Sequence, residues 1–132
     1  MTRSVLFGAA LALTATAAAA QSTNDVLPGC RNLLTQKAQS TSDALMQGRC
    51  AGIVEGIVFM GGLVRYILKS NPVPPDRRSP IQQVACIDVG QEVLLDQKIK
   101  VVIAYIDARP AQMHEDFRGL AFEALHATWP CL

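Results

Sequence analysis

The chain has 132 residues, in which 12 lysines and arginines face 11 acids, with two histidines besides. Near neutrality removes the electrostatic case for nucleic acid or an anionic membrane surface as partner. The length allows one small domain, in which covalent staples matter.

The chain opens with one cation, Arg3, followed by the apolar run VLFGAALALTATAAAA. It closes on Ala18-Ala19-Ala20, an A-x-A pattern before Gln21, and this is the form of a secretory signal peptide. Its strongly apolar part, Val5 to Leu13, is far shorter than the roughly 20 residues of a membrane-spanning helix. Residues 1–20 are therefore expected to be a signal peptide removed on export, and residues 21–132 the folded domain. Arg3 is the leader's only charge, so 11 basic residues then balance 11 acids.

All four cysteines, Cys30, Cys50, Cys86 and Cys131, lie in this second part. An even number of cysteines in an exported chain predicts two disulfides, with three pairings open. No C-x-x-C occurs, so neither a thioredoxin-like site nor a zinc knuckle is supported, and no metal or cofactor is expected.

Asn24 or Asp25 offers an early cap, and a short first helix is expected from about Pro28 to Lys37, broken by QSTSD. Ser42 or Asp43 can cap a second helix reaching about Lys69, with Cys50, Ile53, Ile57, Met60, Val64 and Leu68 along one face. Glu55 and Arg65 interrupt this most apolar stretch and leave only Gly56 to Val64 uncharged, too short to span a membrane. Gly48, Gly52 and Gly56 recur every fourth residue. Three interior glycines, each costing about 1 kcal/mol against alanine, predict close packing of another backbone, here expected to be a helix of the same chain.

SNPVPPDRRSP cannot continue the helix, because its prolines remove donors and favour extended neighbours. It is expected to be an exposed loop of polyproline character carrying adjacent cations, Arg77 and Arg78. Beyond Cys86, Asp88 and Gln91 have the spacing of a capping box, and Leu95, Ile99, Val102, Ile103 and Ile106 follow an amphipathic pattern. Pro110 ends that helix and begins the next, with Met113, Phe117, Leu120, Ala121, Ala124 and Leu125 lining its inner side.

His114, Glu115 and Asp116 fall on that last helix in this reading, fanning out at about 100° intervals rather than converging on an ion. His126 is about 18 Å further along, and no H-E-x-x-H occurs. His114 is expected to turn back toward Asp107 or the carbonyls of the preceding helix and lock the corner. No G-x-S-x-G elbow and no phosphate-cradling loop is present, so the chain does not read as an enzyme.

LPGCR at 27–31, QGRCAGIVEGI at 47–57, VVIAYIDARPAQMHEDFRGLAFEAL at 101–125 and a terminal WPC together resemble the Rap/Tai family of type VI secretion immunity proteins. The middle element here reads Tyr105, Asp107, Pro110 and His114. The resemblance implies a small exported helical protein, all-α with about four main helices, that binds a peptidoglycan amidase effector in the periplasm and occludes its cleft. The matching motifs read as scaffold, so no effector-contacting residue carries over. The proline-rich connection from Ser70 to Ile81 is longer than the family leads one to expect. It supplies the interface candidates Pro74, Pro75, Arg77 and Arg78, chosen on exposure and charge.

If the first two helices form a hairpin and the last two fold back at Pro110, Cys30 meets Cys50 and Cys86 meets Cys131. Cys30 with Cys131 and Cys50 with Cys86 is the competing scheme. Homodimerisation through an apolar or glycine-rich face is a further expectation. A periplasmic chaperone without a cognate toxin is the alternative function, and a small hydrolase would need a pocket around His114 with Asp107 or Glu115.

Overall fold

A computed structural model describes residues 21–131; the expected signal peptide lies outside the described residues. Five helices make up the fold, with α1 at Thr23–Thr35, α2 at Thr41–Ser70, α3 at Pro80–Val84, α4 at Leu95–Asp107 and α5 at Phe117–Thr128. Short 3-10 turns occupy Pro75–Arg77 and Pro110–Gln112. The described residues contain no strand; two isolated bridges, Ser22 with Asp116 and Ile87 with Pro130, are the only extended pairings among them.

α1 begins five residues earlier than its periodicity indicates and runs through Pro28. The reason is tertiary. The amides of Thr23 and Asn24, which a helix start leaves without partners, donate to the carbonyls of Glu115 and Met113 at 2.8 and 3.1 Å. Asn24 and Pro28 are both exposed, so the carbonyl deprived of a donor by Pro28 is not sealed in the core.

α1 and α2 form the expected hairpin. Ser40 caps α2, its hydroxyl accepting from the Asp43 amide at 3.1 Å, so the cap lies two or three residues ahead of Ser42 and Asp43. Gly29 permits the close approach, since a Cβ there would stand 2.3 Å from the Met46 carbonyl oxygen. Cys30 and Cys50 then bond across the hairpin, and Cys86 bonds Cys131, with Cα separations of 5.3 and 5.5 Å.

α4 starts at Leu95, seven residues after the expected cap at Asp88. Asp88 is instead ion-paired with Arg65 at 3.0 Å, its amide donates to the Trp129 carbonyl, and the chain turns at Gly90–Val93 before the helix begins. The Leu94 amide donates to the Gln97 side chain at 2.9 Å, the half of a capping box that leucine's apolar side chain allows. Ile99, Val102 and Ile106 are fully buried, as their spacing predicts.

The core joins Val26 and Leu27 of α1, Cys50 and Val54 of α2, the α4 stripe, and Phe117, Leu120, Ala121, Ala124 and Leu125 of α5, with Ile87 closing one end. On α2 the buried line runs through Cys50, Val54, Gly61 and Leu68. Of the line expected from the sequence, Ile53, Ile57 and Val64 are half-buried and Met60 is exposed. Gly48, Gly52 and Gly56 also depart from expectation: nothing comes within 4 Å of a Cβ at any of them. The close-packed glycine of α2 is Gly61, where a Cβ would meet that of Ile87 at 2.5 Å.

Thirty residues long, with an 18-residue stretch of mean hydropathy 1.6, α2 is long and apolar enough to cross a bilayer. Its charges are used otherwise. Glu55 pairs with Lys98 of α4 at 2.8 Å, Arg65 pairs with Asp88, and Cys50 ties the helix to α1. This is the long helix of a folded bundle with one face left open.

Candidate functional site

The segment between α2 and Cys86 is exposed, as the sequence predicts, but it is not a simple polyproline loop. Prolines 72 and 74 stop the helix, and Pro75 opens a 3-10 turn. Arg78 turns back on its own segment, donating from Nε to the Val73 carbonyl at 3.1 Å, while its carbonyl accepts from Gln83 at 3.0 Å. Ser79 and Gln82 then form a reciprocal capping box that starts α3, with distances of 3.2 and 2.9 Å. The S-x-x-Q spacing behind this box was present in the sequence and marks a helix start that the prolines obscured.

Of the four interface candidates, Pro74, Pro75 and Arg77 are exposed, and Arg78 is half-buried in the structural role just described. Arg77 has no ion-pair partner among the described residues. The residues missed by charge and exposure reasoning are apolar: Ile81 and Val84 of α3 are 77% and 51% exposed. They stand beside two adjoining hollows of about 420 and 300 Å3 that share Ala85 and Phe122. Together these make an apolar trough bounded by α2 side chains such as Ile57 and Val64, by α3, and by α5. Cys86, the residue after Ala85, ties the end of this segment covalently to Cys131.

Arg118 stands at the rim of the trough, held to Asp116 at 2.5 Å. Asp116 is the N-cap of α5, accepting from the Arg118 amide at 2.9 Å, and these hydrogen bonds lower its carboxyl pKa to about 2. The helix therefore starts at Phe117. His114, Glu115 and Asp116 precede it instead of lying along it.

The corner is locked differently from expectation. His114 is exposed and makes no hydrogen bond to Asp107, which pairs with Arg31 of α1. Pro110 opens a 3-10 turn rather than the last helix. Arg109 stacks over the Tyr105 ring at 3.5 Å and donates to the Tyr105 carbonyl, while the Tyr105 hydroxyl donates to Glu123 of α5 at 2.9 Å. Partial burial first, and the Glu123 hydrogen bond and charge next, raise the Tyr105 pKa, with Arg109 pulling it down. His126 stacks on Phe122. Thus the sequence-selected residues at 105–114 do not converge on one point, and among the described residues no group of three or more His, Cys, Asp or Glu is placed to hold a metal.

A disulfide-clamped helical scaffold that presents an apolar trough and a stitched projecting segment is the architecture of a binding protein. Residues 22–131 match the family model of the Rap1a immunity proteins, and the chain belongs to this family. It is accordingly a type VI effector immunity protein, and the role this family implies is that of an inhibitor. No curated protein and no solved structure matches the chain.

Proposed function

We propose that residues 1–20 direct export and are removed, and that residues 21–132 act as one domain in the periplasm, binding a peptidoglycan amidase effector and occluding its cleft. The observation that carries this reading is the exposed Ile81–Val84 edge beside the apolar trough, in a chain of an immunity family. The segment is stitched internally by Arg78, Ser79 and Gln82 and held by Cys86, so little conformational freedom is lost when a partner covers it. Ile81 and Val84 supply apolar area for the buried centre of an interface, and Arg77 supplies at their edge a residue type enriched among interface hot spots. Self-association of the inhibitor is part of the same proposal.

A pull-down of the oxidised 21–132 protein against periplasmic extract and candidate amidases tests the reading. Stoichiometric capture of an amidase, lost in Ile81→Asp with Val84→Asp, is the expected result. Capture of unrelated unfolded proteins with no amidase bound would replace it with the chaperone reading.

A further inference from the structure

The two disulfides stand in different surroundings. Cys30 and Cys50 are both fully buried in the core, between α1 and α2. Cys86 is 2% exposed, but its partner Cys131 is half-buried beyond the end of α5, and both border a surface hollow of about 150 Å3. Arg65, Lys69, Arg78 and Asp88 share the wall of this hollow. Arg65 is neutralised by Asp88 at 3.0 Å, while Lys69 and Arg78 have no ion-pair partner among the described residues. The bond between Cys86 and Cys131 therefore lies beside two uncompensated positive charges.

We propose that Cys86–Cys131 is a thiol–disulfide exchange site, opened by a dithiol reductant, and that its opening frees the α3 segment while the bundle stays folded. A thiolate attacks an accessible sulfur faster than a sealed one, and neighbouring cations both draw the attacking anion and stabilise the thiolate that leaves. Attack falls on Cys131 Sγ, the more exposed of the pair. The S–S bond breaks, its electron pair leaves on Cys86 Sγ, and Cys131 is held in a mixed disulfide with the reductant. The reductant's second thiolate then attacks its own sulfur in that mixed disulfide and releases Cys131 as a thiolate. The dithiol ends as a disulfide, the cysteine pair has gained two electrons, and the two protons lost by the reductant's thiols account for those the two cysteines take up.

The consequence is local because the α3 segment depends on this bond. Among the described residues, every hydrogen bond of residues 72–85 ends within the segment, and no ion pair joins it to the other helices. Beyond Cys86 the chain is held without it. Ile87 sits against Gly61, the Asp88 amide donates to the Trp129 carbonyl at 2.9 Å, and the Asp88 carboxylate pairs with Arg65. Opening the bond thus loosens residues 72–85 and spares α1, α2, α4 and α5, a local unfolding confined to the least attached part of the fold. The exchange site is independent of any effector. Its effect on inhibition rests on the proposed role of the Ile81–Val84 edge, which loses its preorganisation when the segment is freed.

Dithiothreitol serves as the dithiol in the test. The oxidised 21–132 protein is sampled under native conditions, free thiols are trapped with iodoacetamide, and peptide mass spectrometry follows each cysteine. Cys86 and Cys131 should become labelled together, roughly tenfold faster than Cys30 and Cys50. Over the same interval the circular dichroism spectrum should hold, and trypsin cleavage after Arg77 and Arg78 should quicken by about tenfold. Lys69→Gln, at an exposed position, should slow the labelling of Cys86 and Cys131 about threefold, and Lys69→Arg should keep the wild-type rate. Equal or faster opening of Cys30–Cys50 would overturn the inference. So would a segment no more open to trypsin after reduction, or a Lys69→Gln protein reduced at the wild-type rate. None of these readings uses an effector, so the exchange site can fail while the proposed function stands, and the reverse.

Discussion

The inner and outer faces of α2 are made of the same residue types, yet only one is closed by this chain. On the inner face Gly61 receives Ile87 and Val54 is fully buried against the core; on the outer face Gly52 and Gly56 stand open beside Phe59 and Met60. The contrast shows that small and large apolar residues on a helix do not by themselves say which face is closed; that is set elsewhere in the chain, here by Ile87 and the residues packed on Val54. Here the inner contacts hold the fold and the outer face stays exposed. The same division separates Phe117 in the core from Ile81 on the projecting segment.

The largest expected effects lie on the inner side. Phe117→Ala, at a fully buried position, should cost about 3–5 kcal/mol in urea unfolding, whereas Ile81→Ala should stay within about 0.5 kcal/mol. Equal losses at the two positions would erase the division. Replacing both Cys86 and Cys131 with alanine should cost about 4 kcal/mol, and the Cys30–Cys50 pair about 3 kcal/mol, following the lengths of the loops they close.

A finer comparison uses adjacent glycines. Gly61→Ala forces a Cβ against Ile87 and should destabilise by about 1–3 kcal/mol. Gly62→Ala meets nothing within 4 Å and should stabilise the helix by up to about 1 kcal/mol. Thermal unfolding of the pair decides it, since opposite signs at neighbouring residues are the signature of a one-sided helix.

The smallest effect concerns acid stability. The Asp116 carboxyl titrates at about 2 in the fold, below the ~3.9 of an unperturbed aspartate. Its contribution is therefore complete above about pH 4 and is lost as the pH falls toward 2. Asp116→Asn, which preserves a good cap, should melt below wild type at pH 6, and the difference should close by pH 2. His114→Ala, at an exposed position, should leave the melting temperature unchanged.

Much of this fold was legible in the sequence. The all-α class, the hairpin, the α4 stripe and the inner residues of α5 all follow from spacing, because a helix repeats its buried positions every three or four residues. What escaped was set by contacts distant in sequence. Pro28 is tolerated inside α1 because residues 113 and 115 satisfy the helix start, and Asp88 fails to cap α4 because Arg65 engages it. Periodicity also could not say which apolar line of α2 faces inward, since apolar residues surround much of that helix.

The candidate site was half legible. Proline and charge marked the segment as exposed, but Arg78 is spent on its own backbone and Ile81 and Val84 are what the surface presents. His114 drew attention as a rare residue type in a charged cluster. Asp116, beside it, is the member with a structural task, and its role as a cap depends on the helix starting at Phe117.

The most direct test of the account is a titration of amidase activity on peptidoglycan with the oxidised 21–132 protein and with its Ile81→Asp, Val84→Asp form. The account predicts complete silencing at one inhibitor chain per enzyme for the wild type, and at least a hundredfold weaker inhibition by the variant at unchanged melting temperature. Full inhibition by the variant would move the effector contact away from α3. An amidase that stays active at every ratio of wild-type protein would contradict the proposed function itself.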